Sequence, residues 1–362
     1  MKQAAESSGA YASYLAARDA IFRMLENDTA NAHQPSEYWK EEIEGFGYLF
    51  DASPLIVNTL RHHSYHITGL SFYDYKSHHQ HTAGAFKQKL QSLQELDASN
   101  LLVSEPRALG GFGYEIDGKL YNIDTLKFYE YMVGLDRAGF LAPFKKNEQR
   151  QVALEIGPGW GGFAYQFKKL FPNTTYVMVE LPETMIFCGT YLASLFPQAK
   201  IVFLDGTEKE ISRETLLDAD FIFIPSYQWS SLAPIRFDLA MNMVSFQEMT
   251  SEQVEEYIAK LATDQCTRVY SLNRDKSPHN TELTSVSGIL KKYYTIEKIT
   301  VHPTLQYMQM TQPVRKKTPV QKIKSFIKKV LALPIHILRT TRDTKNELEF
   351  PQKKYSHIKG TQ

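Results

Sequence analysis

Between Gln151 and Thr184 the chain reads QVALEIGPGWGGFAYQFKKLFPNTTYVMVELPET. Gly157, Pro158, Gly159 and Gly161 form a turn between an apolar strand and a helix. Two acids flank the turn: Glu155 lies two residues before the first glycine, and Glu180, 18 residues past Gly162, ends the following strand. Residues without a Cβ let the backbone turn sharply and let a ligand come close to the first strand. Glu180 is placed to accept both hydroxyls of a ribose. Glu155, at the end of a buried strand, is costly to ionise unless something pairs with it, and a cationic ligand would supply that partner. Gly157 to Gly162 also fits G-x-G-x-x-G, so a nicotinamide-dinucleotide reading is formally available from the spacing.

The elements that must position these groups follow from the pattern of apolar residues. VALEI, TYVMVEL, KIVFLDG, DFIFIP, FDLAMNM and TRVYSLN alternate with amphipathic helical stretches. Strands alternating with helices predict an α/β fold, a doubly wound Rossmann-like parallel sheet covered on both faces. Ligands of such sheets bind at the carboxyl ends of the strands. Upstream, residues 1–148 read as mostly helical. Ser53 and Pro54 open one helix as cap and first residue. Ser36 opens another, with Trp39, Ile43 and Phe46 on one face. Asp117-Gly118 predicts a tight hairpin in YEIDGKLYN. The expected organisation is a helical N-terminal cap and acceptor region over 1–148, an α/β cofactor domain over 149–312 and a basic amphipathic tail over 313–362.

Three stretches carry a resemblance to a known family. The acid-x-G-x-G-x-G pattern of Glu155, Gly157, Gly159 and Gly161 resembles the first motif of class I S-adenosylmethionine-dependent methyltransferases. LPETMIFCGTYLASLFP and FDLAMNMVSFQEM resemble sugar O-methyltransferases of that class, and the likeness reaches upstream through GGFGYEIDGKLYNIDTLKFYEYMVGLDRAGF, covering roughly 104–310. It implies S-adenosylmethionine as cofactor, held by Glu155, Gly157, Pro158, Gly159, Gly161, Glu180 and Leu181, with either Asp205 or Ser226 at the adenine. It also implies a sugar hydroxyl as acceptor. Methyl transfer from a sulfonium is an in-line displacement, so alignment supplies much of the acceleration. A positioned base adds roughly 10²–10⁴-fold. Asn242, Ser245, Gln247 and Glu248 emerge at the ligand edge of the sheet, with Glu248 the preferred base and His302 the alternative. Asn273 and Arg274, ending the next strand, are further acceptor-side candidates. An acid at Glu248 also suits the start of the helix that Thr250 caps. A nicotinamide-dependent sugar oxidoreductase and a non-catalytic methyltransferase-like scaffold are the competing readings.

Composition bounds the rest. The chain has 362 residues, 43% hydrophobic and 22% charged, with two cysteines. No apolar run approaches the ~20 residues needed to span a bilayer, and with so few cysteines a cytoplasmic location is expected. His62 and His66 are one helical turn apart, but no cysteine or acid stands at a ligand spacing, so no metal site is expected. Charge is uneven: residues 313–362 hold 13 Lys/Arg and 3 Asp/Glu, or 13 − 3 = +10, and the remainder 28 − 37 = −9. Within that tail, residues 318–333 place Ile323, Phe326, Ile327, Val330 and Leu331 on one helical face with lysines around the other. Such a helix can lie on the inner face of an anionic membrane or pack on protein. A glycan or glycolipid acceptor is the expected partner, a nucleic acid is not, and self-association into a homo-oligomer is a further expectation.

Overall fold

The computed structural model describes residues 9–28, 35–76, 83–275, 282–283 and 285–301, together with the backbone of 355–361. His302 and the segment 318–333 lie outside the described residues. The helices used below are Gly9–Asn27 (α1), Glu37–Phe46 (α2), Ala83–Gln94 (α3), Ile123–Arg137 (α4), Gly162–Leu170 (α5), Met185–Leu195 (α6), Arg213–Asp218 (α7), Ser251–Thr263 (α8) and Val286–Leu290 (α9). The one-turn helices Pro54–Val57, Leu60–His63 and Tyr65–Thr68 follow one another after α2.

A small antiparallel hairpin, Tyr114–Ile116 (β1) with Lys119–Tyr121 (β2), turns through Asp117 and Gly118, both at positive φ. The remaining strands are Gln151–Ile156 (β3), Thr174–Glu180 (β4), Ile201–Phe203 (β5), Phe221–Pro225 (β6), Leu239–Met243 (β7), Val269–Arg274 (β8), Thr295–Ile299 (β9) and Tyr355–Thr361 (β10). They form one sheet in the order β5-β6-β4-β3-β7-β8-β10-β9. β3 to β8 are parallel, and β10 runs antiparallel between β8 and β9.

Alternate residues along each strand enter different cores, as a pleated strand buried on both faces requires. Val152, Leu154, Ile156, Val177, Val179, Ile222 and Ile224 pack on one face, under α7, α8 and α9. Ala153, Tyr176, Met178, Phe221, Phe223, Met241 and Tyr270 pack on the other, with α4, α5 and α6. That second core continues into Tyr14, Ile21 and Met24 of α1 and Phe86, Leu90 and Leu93 of α3. The N-terminal region therefore shares a core with the sheet and lies on one of its faces.

β5 lies outside β6, so the strand that follows β4 in sequence is not its neighbour in the sheet. One feature departs from sequence expectation. The boundary expected at 312 is crossed by β10, whose backbone pairs Tyr355 with Arg274 and Gly360 with Val269 on one side, and His357 with Ile299 on the other. The end of the basic tail is part of the sheet. Among the described residues no helix is long and apolar enough to cross a membrane.

Candidate functional site

The strand order turns back at β3, whose neighbours are β4 on one side and β7 on the other, and crevices at such a point take ligands. A cleft of about 980 Å³, mouth included, opens there. The glycine turn after β3 forms its floor. Gly157 sits at φ +72°, and a Cβ there would lie 2.0 Å from Ser245 Oγ; Gly159, at φ +56°, would meet Ile67 Cγ2 at 3.0 Å. Both positions combine a left-handed backbone with a close neighbour, so glycine is required on two counts. Val244 leaves β7 at φ 63° and also lines the cleft. A β-branched residue in that region is strained, and such strain collects at functional sites.

Three carboxylates face the cleft, from Glu155, Glu180 and Glu248, and Lys127 of α4 is the one cationic side chain among the described lining residues. Glu155 accepts a hydrogen bond from the Tyr176 hydroxyl at 2.9 Å. Burial pushes its carboxyl up to about 8 against that hydrogen bond. Glu180 accepts from the Gly159 N–H at 2.9 Å and the Leu181 N–H at 2.8 Å, which ties the end of β4 to the glycine turn. Burial raises it to about 7, with those two backbone donors opposing the rise. Glu248 is raised to about 8, first by burial, with the Lys127 charge opposing, Glu180 adding to the shift and a Trp39 hydrogen bond lowering it. Three groups held towards the neutral form in one cleft mark a place where a cation would be stabilised.

Ser226, at the end of β6, lines the same cleft, and its buried Oγ has no hydrogen-bond partner among the described residues. An orphaned buried hydroxyl costs roughly 1–3 kcal/mol, so a ligand atom or water is expected to meet it. Asp205 is elsewhere. β5 carries it to the outer edge of the sheet, where its carboxylate accepts from the Thr207 N–H at 2.9 Å and its carbonyl accepts from Asn27. The alternative left open by the sequence is thus separated by the extra edge strand, which puts β6 beside β4.

The acceptor-side candidates divide as well. Ser245 and Glu248 line the cleft. Asn242, Gln247 and Asn273 do not; they brace the loop beneath it. Asn242 donates to the Ile156 carbonyl at 2.8 Å and accepts from the Phe246 N–H and from Asn273 Nδ2. Gln247 Oε1 accepts from the Arg274 N–H at 3.0 Å. Asn242 and Asn273 are 1% and 3% exposed, and their side-chain amides are taken up by hydrogen bonds within the protein. Arg274 ends β8 outside the lining, and Gly161 caps α5 against Cys188. Thr250 caps α8 through a reciprocal pair with Gln253, which accounts for that helix start without Glu248.

Lys127, Trp39, Phe128 and Trp160 also line the cleft; of these the sequence marks Trp39 alone, as an apolar helix-face residue and not as a site residue. Trp160 ties the turn to the N-terminal region. Its ring lies 3.7 Å from the guanidinium of Arg61, and its Nε1 donates to Asp124 Oδ2 at 3.2 Å. Arg61, fully buried, donates to Asp124 Oδ2 at 2.7 Å, Glu105 Oε1 at 2.8 Å and Ser64 Oγ. Asp124 Oδ1 stands 3.4 Å from Lys127 Nζ. Two acids and two bases therefore balance, and their geometry fixes both the turn and the cleft's lysine. Among the described residues no group of His, Cys, Asp or Glu could hold a metal.

No protein-family model and no curated protein matches the chain. Solved structures similar to it include phosphoethanolamine N-methyltransferase 2 of Haemonchus contortus in complex with S-adenosyl-L-methionine, 12% identical over 67% of this chain, with a TM-score of 0.35. An O-methyltransferase family protein of Burkholderia thailandensis is 8% identical, over 66% of this chain and 59% of that one, at a TM-score of 0.33. Precorrin-6y C5,15-methyltransferase of Geobacter metallireducens is 13% identical, over 62% and 88%, at 0.32. This chain spans 57% of the length of the first of them. What those proteins bind is theirs, and the chemistry of this chain rests on its own cleft.

Proposed function

We propose that the protein is an S-adenosylmethionine-dependent O-methyltransferase whose acceptor is a sugar hydroxyl, of a surface polysaccharide or lipid-linked glycan. The observation that carries the reading is the acid-lined cleft on the glycine turn, with three carboxylates facing one lysine. A dinucleotide would bring a pyrophosphate to a lining with Lys127 as its one cation among the described residues, and its charge would hold the three carboxyls in their protonated form. A sulfonium with an α-amino group meets the same carboxylates favourably. Glu155 would face the cationic part, Glu180 the ribose diol, and the unpartnered Ser226 hydroxyl the adenine end. When bound, S-adenosylmethionine supplies an electrophilic methyl group.

Glu248 is the acid left for the acceptor. Its proton affinity, raised to about 8, suits a base that must take a hydroxyl proton near neutral pH. Glu248→Gln is expected to keep cofactor affinity and melting temperature while kcat falls by about 100-fold or more. Near-full turnover in that variant would move the role to another group.

Cofactor binding should be linked to protons. Burial pushes the folded carboxyls of Glu155, Glu180 and Glu248 up to about 8, 7 and 8. All three lie above the ~4.3 of an unfolded glutamate. Their contribution to stability is complete below that value and lost as pH rises through 7 to 8, so the ligand-free protein should melt lower across that window. A bound cation favours the ionised forms. S-adenosylmethionine should therefore bind more tightly at pH 7.5 than at pH 6 and release protons as it binds. Calorimetry in buffers of different ionisation enthalpy reads this directly. Tight NADH binding, or S-adenosylmethionine affinity that is flat in pH, would overturn the assignment.

A further inference from the structure

Next to the cleft the surface is aromatic and exposed. Tyr38, Tyr48 and Tyr65 are 43%, 44% and 48% exposed. They are linked by polar side chains into one strip. Tyr38 meets Trp39 of the cleft edge-on, with ring centroids 5.6 Å apart. Glu42, one turn further along α2, places Oε2 3.5 Å from His66 Nδ1. The Tyr65 ring lies 4.0 Å from the His66 ring, and the Tyr48 hydroxyl lies 2.6 Å from His63 Nδ1. His66 is 9% exposed, and its buried Nε2 has no hydrogen-bond partner among the described residues. The strip is continuous with the cleft at two points, because Trp39 and the pair Ile67 and Thr68, which follow His66 directly, are lining residues.

Its chemistry narrows the occupant. Exposed rings offer flat apolar faces, while carboxylate, imidazole and phenol groups at their edges accept from neighbouring hydroxyls. Rings with polar edges suit a polyhydroxyl chain whose units each have a CH face and a rim of hydroxyls. The charge excludes polyanions: α2 carries Glu37, Glu41, Glu42 and Glu44 against Lys40. A nucleic acid or an anionic membrane would be repelled.

We infer that the strip formed by Tyr38, Glu42, Tyr48, His63, Tyr65 and His66 is a binding track for a neutral oligosaccharide, continuing from the unit held in the cleft. The acceptor is then a chain, recognised over several units, and a free monosaccharide is a poor one. The inference rests on the sugar reading of the cleft, and direct binding separates the two.

The test uses the full chain with S-adenosylhomocysteine bound and three neutral linear probes, cellohexaose, maltohexaose and chitohexaose, with glucose and hexagalacturonate as controls. Calorimetry should show at least one neutral hexasaccharide binding more tightly than glucose or the acidic chain. The double variant Tyr48→Ala, Tyr65→Ala, altered only at exposed rings, should weaken that binding by about tenfold while S-adenosylhomocysteine affinity stays unchanged. Binding lost in the variant supports the track even if labelled methyl transfer fails, an outcome that would sink only the methyltransferase reading. Methyl transfer to glucose and hexasaccharide with equal kcat/KM, no binding of any neutral probe, or unchanged binding by the variant overturns the track. So does a shift from dimer to monomer on substitution without loss of sugar binding, since the strip would then be a self-association surface.

Discussion

Arg61→Met is expected to cost about 3–5 kcal/mol of stability, the penalty for removing one partner from a buried ion pair. The arginine is fully buried between Glu105 and Asp124, whose side chains are 1% and 2% exposed. Removing it leaves two carboxylates with Lys127 as the remaining nearby cation and takes away the plane on which Trp160 stacks. For a chain of this size the melting temperature should fall by on the order of 10 °C. The deficit should shrink as pH falls towards 5, because burial already holds the Glu105 carboxyl above its ordinary value and protonation relieves the uncompensated charge. Restoring charge balance with Glu105→Gln and Asp124→Asn in the same background should recover much of the loss. Cofactor affinity in Arg61→Met should drop with the stability, since the glycine turn loses the stack that orients Trp160. A variant as stable as the parent would show that the network contributes little.

Removing residues 355–362 is expected to have the other large effect. β10 is seven residues long and hydrogen-bonded on both sides. Each backbone hydrogen bond contributes roughly 0.5–1.5 kcal/mol net, and one left unmade in a buried sheet costs more. The sum is on the order of the whole stability of a domain. The truncated chain should be insoluble or should lose cooperative melting, whereas the same cut in a detachable tail would leave both unchanged. Circular dichroism and scanning calorimetry distinguish the two. The full-length chain with 318–333 replaced by a neutral linker is the control that separates the strand from the basic segment.

Much of the fold is legible because it is local. Six apolar runs from VALEI to TRVYSLN become β3 to β8, and Asp117-Gly118 turns the hairpin where expected. The glycine turn and its two acids are equally readable, since one contiguous stretch builds them. What escapes the sequence depends on pairing at a distance. Nothing in IVF and FIFIP tells which lies beside β4, so Asp205 and Ser226 cannot be ranked until β5 is found at the edge. Asn242, Gln247 and Asn273 have the composition of a binding group, but they satisfy one another beneath the cleft. Lys127 and Trp39 come from helices far from the motif and reach the cleft only because those helices pack over it. β10 follows a basic stretch and finds partners whose sequences lie well upstream.

The position of β10 also bears on how the chain is made. β8 leaves the ribosome about 80 residues ahead of the strand that will cover it, Arg274 preceding Tyr355. During that interval the parallel sheet ends on an unpaired edge, a template for pairing with other chains. At the usual ~5–20 residues per second the exposure lasts several seconds, long compared with the collapse of the strands already synthesised. The nascent protein should accordingly depend on chaperones more than its finished core would suggest, and slowing translation downstream of Arg274 should lower the soluble yield.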